Sequence, residues 1–226
     1  MQNYKVIPID YQDCKEWLLK KHYLKRMTSI TYAFGLFNDN NLIGICTFGN
    51  AIPLTMKRSI CGESFEHLVY ELNRLCIDEV ALKNAASFFV GQCLKQLPKP
   101  MIIVSYADKS FGHTGYIYQA TNFLFLGESH TQLDWKVKGL DNIHSRTLMD
   151  EFAFESNRIE KLKEKYGDRM YQVQRLPKNR YVYFIGSKTQ IKHFKNNLRI
   201  KPLPYPKGDN NRYDASYQPS TQQKLF

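Results

Sequence analysis

The sequence predicts an α/β protein with a mixed, mostly antiparallel sheet, one central parallel strand pair and a basic C-terminal extension. Three observations lead to this fold class. Two β-rich runs, 31–37 and 41–49, are joined by turn residues, which is typical of an antiparallel hairpin. Further along, an apolar strand, a long helical segment and a second apolar strand indicate a parallel pair with a right-handed crossover. Lysine and arginine then accumulate after residue 145.

The elements before residue 78 are predicted to be a helix, the hairpin, a loop and a strand. Asp10 and Asp13 favour a helix from Asp10 to Lys21, because acidic residues suit the first turn of a helix. After the hairpin, turn-forming residues and a basic pair predict a loop over 50–65. The apolar segment 67–77 is predicted to be a strand.

The middle of the chain supplies the crossover. Apolar positions recur at helical spacing over 78–97, and Pro98 and Pro100 end the helix. Residues 101–107 are apolar enough for a strand that is buried on both faces. The segment GHTGYIYQATNF then predicts a glycine-rich turn and a short helix, and two further strands follow it, over 123–129 and 133–139.

The C-terminal third is predicted to form an extension of the first domain. It contains a charged helix within 150–167, a tyrosine-rich strand over 179–186, a basic helix over 189–198 and a Pro-, Asn- and Gln-rich tail from Lys201. The predicted domains are a catalytic domain over 1–144, a basic extension packed on it over 145–200 and an extended or mobile tail over 201–226.

Composition narrows the class of protein. No apolar run is long enough for a transmembrane helix and no signal-peptide pattern is present, so a cytoplasmic protein without membrane contact is expected. Five widely spaced cysteines without a C-x-x-C pair are typical of reduced thiols. The net charge is +11, of which residues 145–226 contribute +9. This asymmetry favours a polyanionic partner such as nucleic acid, and the alternative is a solvated basic surface.

Polar residues interrupt or follow the two central strands. Arg74 stands inside an apolar strand, where it needs an acidic neighbour or a ligand. Ser105, Tyr106 and Asp108 follow the buried strand, and sites gather at the carboxyl ends of strands in open α/β sheets. Asp108 is either a proton acceptor in such a site or a turn residue.

The segment that follows resembles the acetyl-coenzyme-A-dependent N-acyltransferases known as GNAT, and the resemblance covers about residues 1–135. Members of that superfamily carry Tyr-x-x-x-Gly-Phe after the fifth strand, and Tyr118 to Phe123 match it with Asn122 in place of glycine. Asn is the other residue that accepts a left-handed backbone after a helix. By position, the resemblance makes Tyr118 the tyrosine that protonates a leaving group.

The second GNAT hallmark is only partly present. The pyrophosphate loop before the long helix is represented by Lys83, Asn84, Ala85, Ala86 and Ser87, with no glycine. These residues are the candidate cofactor-binding loop, together with Arg74. Acetyl-CoA or a related small-molecule donor is therefore a candidate cofactor that the loop alone does not establish.

A narrower resemblance joins several segments in order. HYLKR, YELNRLCIDE and VSYADKSFGHTGYIYQATNF, followed by NRYVYF and PYPKGDN, resemble the Mom family of phage DNA-modification proteins, which has a diverged GNAT-like fold. The resemblance implies attachment of a carbamoylmethyl group to N6 of adenine in double-stranded DNA, in the cytoplasm of a bacterial host. It also implies protection of that DNA from restriction. The alternatives are a conventional N-acetyltransferase acting on a protein, RNA or small-molecule amine, and a non-enzymatic DNA-binding protein.

The Mom-like interpretation adds residues to the candidate site. It makes His22 and Tyr23 catalytic candidates beside Tyr118, Asp108 and Ser105, and His22 is the one candidate ligand if iron takes part. The candidate DNA contacts are Lys25, Arg26, Arg175, Lys178 and Arg180, because cations contact the DNA backbone and neighbouring phenols stack on bases. The sequence leaves the oligomeric state open, a homodimer included.

Overall fold

The structure is a computed structural model that describes residues 3–50, 52–79 and 81–208. The chain divides into two compact units, which are described separately. The main unit comprises the described residues up to Glu128 and from Lys178 onward, and the small unit is Ser129–Pro177.

The secondary structure alternates between strands and helices. In chain order, the strands are β1 (Tyr4–Pro8), β2 (Tyr32–Asn38), β3 (Asn41–Gly49), β4 (Val69–Ile77), β5 (Met101–Asp108), β6 (Leu124–Glu128), β7 (Gln132–Val137), β8 (Met170–Arg175) and β9 (Lys178–Ile185). The helices are α1 (Tyr11–Glu16), which a π-helical turn (Trp17–Lys21) continues, α2 (Leu54–Cys61), α3 (Ala85–Gln96), α4 (Tyr116–Ala120), α5 (Ser145–Asp150), α6 (Arg158–Tyr166) and α7 (Lys188–Asn196).

The main unit is built on a seven-stranded sheet in the order β1-β2-β3-β4-β5-β9-β6. Its neighbouring strands are antiparallel except β4 and β5, which pair in parallel from Val69–Ile102 to Leu72–Ser105. The predicted fold class, a mostly antiparallel mixed sheet with a central parallel pair, is therefore confirmed. The predicted hairpin corresponds to β2 and β3, and the predicted crossover helix corresponds to α3.

The core lies on both faces of this sheet, as the apolar sequence of β5 predicts. Ile103 packs on the side of α3 in one cluster, whereas Ile102 and Val104 pack on the side of α2 and α7 in another. All three side chains are fully buried. Because successive side chains of a strand point to opposite faces, a continuous apolar run is the pattern that a doubly covered strand requires.

Two local predictions were wrong. Residues 54–61 form α2 rather than a loop: Pro53 precedes the helix and Gly62, at φ +95°, ends it. Proline and glycine are typical of loops, but proline at a helix start and glycine at a helix end are also common. The crossover helix begins at Ala85 rather than Asp78, because Asn84 adopts a left-handed conformation at φ +69° that a helix cannot continue through.

The C-terminal third is organised differently from the predicted extension. Strand β9 lies inside the main sheet between β5 and β6, and the small unit consists of β7, β8, α5 and α6 around Val137, Leu148 and Leu162. The two compact units therefore do not follow the predicted boundary after residue 144. Most of the predicted tail, residues 209–226, lies outside the described residues.

Candidate active site

A cavity of about 470 Å³ opens where the two parallel strands separate. Pairing between β4 and β5 ends at Leu72 and Ser105, but both strands continue beyond that point. The gap faces the carboxyl ends of both strands, which is the usual place for a ligand in an α/β sheet. Residues from β4, β5, α4, the start of α3, the start of β9 and the turn after α1 line it.

Tyr118 forms one wall of the cavity from α4. Gly115, at φ +92°, precedes that helix and lies against Tyr181, while Asn122 follows it at φ +62°, which confirms the left-handed residue predicted there. Burial raises the pKa of Tyr118 to about 12, although a side-chain hydrogen bond with Ser105 acts in the opposite direction. The phenol is therefore protonated at neutral pH. Ser105 lies fully buried behind it and donates to the carbonyl of Leu72 at 2.8 Å.

His22 and Tyr23 form another part of the cavity wall. The backbone N–H of Leu24 donates to Nδ1 of His22 at 3.1 Å, so a neutral ring carries its proton on Nε2. Burial, followed by the positive charge of Arg74, lowers the pKa of His22 well below its ordinary value. The two rings stack at 4.3 Å, and burial also raises the pKa of Tyr23. At neutral pH this wall therefore offers hydrogen-bond donors rather than a strong base.

Two polar atoms in this part of the molecule are buried without a partner. The Nε of Arg74 and the hydroxyl of Tyr106 have no hydrogen bond within the described chain, and both residues line the cavity. Nη1 of Arg74 donates to the carbonyl of Asn73 at 2.6 Å, and burial lowers the pKa of the guanidinium. An unsatisfied buried polar group costs about 1–3 kcal/mol, so a bound polar ligand would be stabilised by these two donors.

Asp108 lies behind the cavity rather than in its lining. Its Oδ2 is 2.8 Å from Nζ of Lys178, and Lys178 is the member of the pair that lines the cavity. Burial by itself raises the pKa of Asp108, but Lys178 and the N–H of Ser110 outweigh it and hold the pKa below its ordinary value. The arrangement suits a carboxylate that positions a cation better than one that accepts a proton.

The candidate cofactor loop contributes three of its five residues to the cavity. Asn84, Ala85 and Ala86 line it at the start of α3, whereas the exposed Lys83 and the half-buried Ser87 do not. The left-handed Asn84 takes the place that a glycine would favour. These small residues fit the approach of an anionic group to the helix, which acetyl-CoA or a smaller anionic donor would provide.

The candidate DNA contacts differ in exposure and in the groups that hold them. Lys25 is exposed and Arg26 half-buried beyond the His22 wall, while Arg175 in the small unit pairs with a carboxylate of that unit at 3.6 Å. Lys178 belongs to the ion pair described above. Arg180 donates to a backbone carbonyl at 3.4 Å and is half-buried.

A metal site does not emerge from the nominated residues. Within the described ranges, no three His, Cys, Asp or Glu side chains are grouped so that they could hold an ion. Nδ1 of His22 accepts from a backbone N–H and Asp108 is paired with a lysine, so these two residues do not fit an iron ligand set in this arrangement.

The candidate residues from the sequence omitted His113 and Glu71, which also line the cavity. His113 lies 5.7 Å from the ring of Tyr23, and burial lowers its pKa although Asp108 opposes the shift. The sequence offers one signal that could identify His113 as a site residue: it lies between two glycines after a strand end, in the segment that contains Tyr118. Glu71 is an acidic neighbour of Arg74 in the sequence, and that position by itself does not indicate a place in the cavity lining.

The fold and the cavity define an α/β protein with a ligand-sized pocket at the carboxyl ends of its parallel strands. The sequence model of the Mom protein family matches residues 3–207, and the chain belongs to that family. The protein named methylcarbamoylase Mom, from Escherichia phage Mu, is 30% identical over 124 residues, which cover 53% of this chain and 51% of that protein. The chain thus spans about half the length of the curated relative that it matches.

Solved structures of N-acetyltransferases are also similar to this chain. An N-acetyltransferase from Staphylococcus aureus Mu50 has a TM-score of 0.43 and 12% identity, covering 80% of this chain and 98% of its own. A mutant of agmatine N-acetyltransferase in its apo form has a TM-score of 0.42 and 10% identity, covering 81% and 100%. Among the described residues, no helix is long and apolar enough to cross a membrane.

Proposed function

We propose that this protein is a phage DNA-modifying transferase that attaches a carbamoylmethyl group to N6 of adenine and so protects phage DNA from restriction in the bacterial cytoplasm. The observation that supports the proposal best is the cavity of this Mom family member. Its lining includes protonated phenols (Tyr23 and Tyr118), neutral imidazoles (His22 and His113) and two cations (Arg74 and Lys178). The name of the phage Mu relative, a methylcarbamoylase, supports the choice of transferred group.

The reaction is a substitution at the CH₂ carbon of the donor. Adenine N6 forms a new N–C bond, the bond from that carbon to a leaving group breaks, the leaving group takes the electron pair, and N6 loses one proton. The donor is a small molecule that carries the carbamoylmethyl group on such a leaving group. Acetyl transfer from acetyl-CoA would give an amide instead, so acetyl-CoA alone does not supply this product.

The residues of the cavity suit this substitution. Tyr118 is protonated at neutral pH and donates to the departing group. His22 donates from Nε2 to an acceptor of the base or the donor carbonyl, because its Nδ1 is occupied by Leu24. Arg74 and Lys178 stabilise negative charge, and the unpartnered Nε of Arg74 gains a ligand. His113, a neutral imidazole of the same cavity, accepts the proton from N6.

Aromatic side chains around the cavity suit an extruded base. Phe111 is 41% exposed and lies 4.3 Å from the ring of Tyr23, and Tyr116 of the cavity wall is 59% exposed. An enzyme that modifies a base of duplex DNA must take it out of the stack and hold it between such groups. Double-stranded DNA is therefore the proposed partner.

The test is mass spectrometry of nucleosides from phage-infected cells that express the protein. We expect a deoxyadenosine whose mass has risen by one carbamoylmethyl group in place of hydrogen, and we expect its loss with an Arg74→Met variant. Unmodified deoxyadenosine in cells that contain the folded protein would overturn the proposal. A new acetyl group on an RNA or protein amine would favour a conventional N-acetyltransferase.

A further inference from the structure

The positive charge of the C-terminal third is confined to its last part. Residues 129–177, the small unit, contain nine Lys and Arg residues and eight Asp and Glu residues, so that unit is almost neutral. Residues 178–208 contain eight Lys and Arg residues and no acidic residue. Within 129–208, the excess positive charge therefore belongs to the main unit. The prediction had placed it in one extension over 145–200.

Helix α7 presents part of this charge as a single row. Lys188, Lys192 and Lys195 follow each other at intervals of four and three residues, which places them on one face of the helix. All three are exposed, and none forms an ion pair with another described residue. The adjacent face packs into the core through Ile191 and Phe194.

The lysines of this row repel one another, because like charges three or four residues apart destabilise a helix and no acidic side chain of α7 offsets them. Of the three, Lys195 alone lies in the last turn, where a cation suits the helix dipole. Replacing the lysines by glutamine is therefore expected to leave the fold intact. An anion outside the chain is what would make the row favourable.

The chain after α7 leads from this row to the cavity wall. The N–H of Leu203 donates to the carbonyl of Phe125 in β6 at 2.9 Å, and the hydroxyl of Tyr205 donates to the carbonyl of Phe123 at 2.7 Å. Gln119 of α4 then donates to the carbonyl of Pro206 at 3.4 Å. This segment carries three further exposed cations, Arg199, Lys201 and Lys207. It ends beside Thr114, the neighbour of His113, and all of it belongs to the main unit.

We infer that the exposed cations from α7 to Lys207, called here the basic track, bind the phosphate backbone of double-stranded DNA and guide it to the cavity. The inference rests on the proposed function for its choice of polyanion. Phosphate contacts of this kind position a duplex without reading its sequence. Of the five cations that the sequence predicts as DNA contacts, Arg175, Lys178 and Arg180 are held by groups of their own unit, whereas the exposed cations of the track form no ion pair with a described residue. Lys25 and Arg26 remain candidate contacts outside the track.

A salt titration of duplex binding tests the inference. The variant Lys188→Gln/Lys192→Gln/Lys195→Gln is compared with Lys5→Gln/Lys95→Gln/Lys99→Gln, which removes three exposed lysines of the main unit outside the track. Each neutralised phosphate contributes about −0.9 to the slope of log affinity against log salt, so the α7 variant should flatten the slope by up to about 2.7. The control variant should keep the wild-type slope.

The outcomes separate this inference from the proposed function. Equal slopes in the wild type and both variants would overturn the basic track, whatever the nucleoside analysis shows. A flattened slope confined to the α7 variant supports the track even if no modified adenine is found. Loss of binding to vesicles of anionic phospholipid, with an unchanged DNA slope, would assign the track to a membrane surface and also overturn it.

Discussion

Nζ of Lys178 lies 2.8 Å from Oδ2 of Asp108, and the two residues are also opposite each other in the register of β5 and β9. The side chain of Asp108 is 4% exposed and that of Lys178 is 25% exposed. The buried carboxylate therefore holds the lysine in place where it borders the cavity. The pair links β9 to the site.

The first prediction is that Asp108→Asn lowers both the stability and the modification activity. Removing one partner of a largely buried ion pair leaves the other charge uncompensated, and we expect a loss of about 1–3 kcal/mol in the free energy of unfolding at pH 7. Because the pKa of Asp108 is lower in the folded state, the pair stabilises the protein above the ordinary carboxyl pKa. This contribution is lost as the pH falls through the folded-state value.

Urea unfolding at pH 7 and at about pH 3 measures this effect. The difference between the wild type and Asp108→Asn should shrink at the lower pH. Glu128→Gln is the control, because it breaks an exposed ion pair with Lys109 and should cost less than about 1 kcal/mol. A difference that stays the same at both pH values would show that the pair contributes no pH-dependent stability.

The second prediction concerns two tyrosine hydroxyls near α4. Tyr118→Phe should reduce the modification rate about 10²- to 10⁴-fold, because it removes a positioned proton donor. It should also cost about 0.5–1.5 kcal/mol of stability, because the hydrogen bond with Ser105 is lost. Tyr205→Phe should lower the stability by a similar amount and leave the modification rate unchanged. It removes the hydrogen bond to the carbonyl of Phe123, costs about 0.5–1.5 kcal/mol and leaves the cavity intact.

Single-turnover rates and thermal unfolding of both variants check this prediction. If Tyr118→Phe modified DNA at the wild-type rate, Tyr118 would be a wall of the cavity and not a proton donor. Equal activity losses in the two variants would indicate that α4 is disturbed in general.

Local sequence signals predicted much of the fold and part of the site. The hairpin, the doubly buried strand β5 and the left-handed Asn122 each depend on neighbouring residues, and all three are confirmed. Tyr118 was found because a short motif identifies it. Its place in the lining of the cavity agrees with that reading.

Long-range pairings could not be predicted in the same way. Asp108 and Lys178 are far apart in the sequence, and only the insertion of β9 beside β5 brings them together. The prediction assigned β9 to a basic extension packed on the catalytic domain, so Lys178 was expected to contact DNA. Asp108 was expected to be either a proton acceptor or a turn residue. The sequence shows the positive charge of α7, but only the fold shows that α7 belongs to the main unit and not to the nearly neutral small unit.

The third prediction is a loss of stability below about pH 6.5 that depends on His22. Its folded-state pKa lies well below the ordinary value because the ring is buried beside Arg74. The unfolded chain therefore binds a proton first as the pH falls, and the free energy of unfolding should decrease by up to about 1.4 kcal/mol per pH unit. The decrease should end once the pH passes below the folded-state pKa.

Chemical unfolding of the wild type and of His22→Gln between pH 5 and pH 8 measures this slope. The variant should lose the part of the slope that His22 contributes, since its amide does not titrate, and should keep the part that comes from His113, whose pKa is also lowered by burial. His130→Gln, which removes an exposed imidazole, serves as the control. A slope that is the same in His22→Gln and the wild type would assign the acid sensitivity to other groups.

The last prediction compares two glycines with opposite surroundings. At Gly115, a Cβ atom would lie 2.4 Å from the ring of Tyr181, and the φ angle of +92° is unfavourable for any other residue. Gly115→Ala should therefore cost roughly 1–3 kcal/mol and, because Gly115 precedes the helix of Tyr118, should also reduce activity. Gly91 lies inside α3 and has no atom within 4 Å of such a Cβ.

Gly91→Ala should therefore stabilise the protein by about 0.5–1 kcal/mol, because alanine loses less backbone entropy on helix formation, and should leave activity unchanged. Thermal unfolding measures the two stability changes, and modification rates of both variants measure the effect on activity. If Gly115→Ala kept wild-type stability and rate, the contact with Tyr181 would not fix the position of α4. The position of Tyr118 would then depend on its hydrogen bond with Ser105.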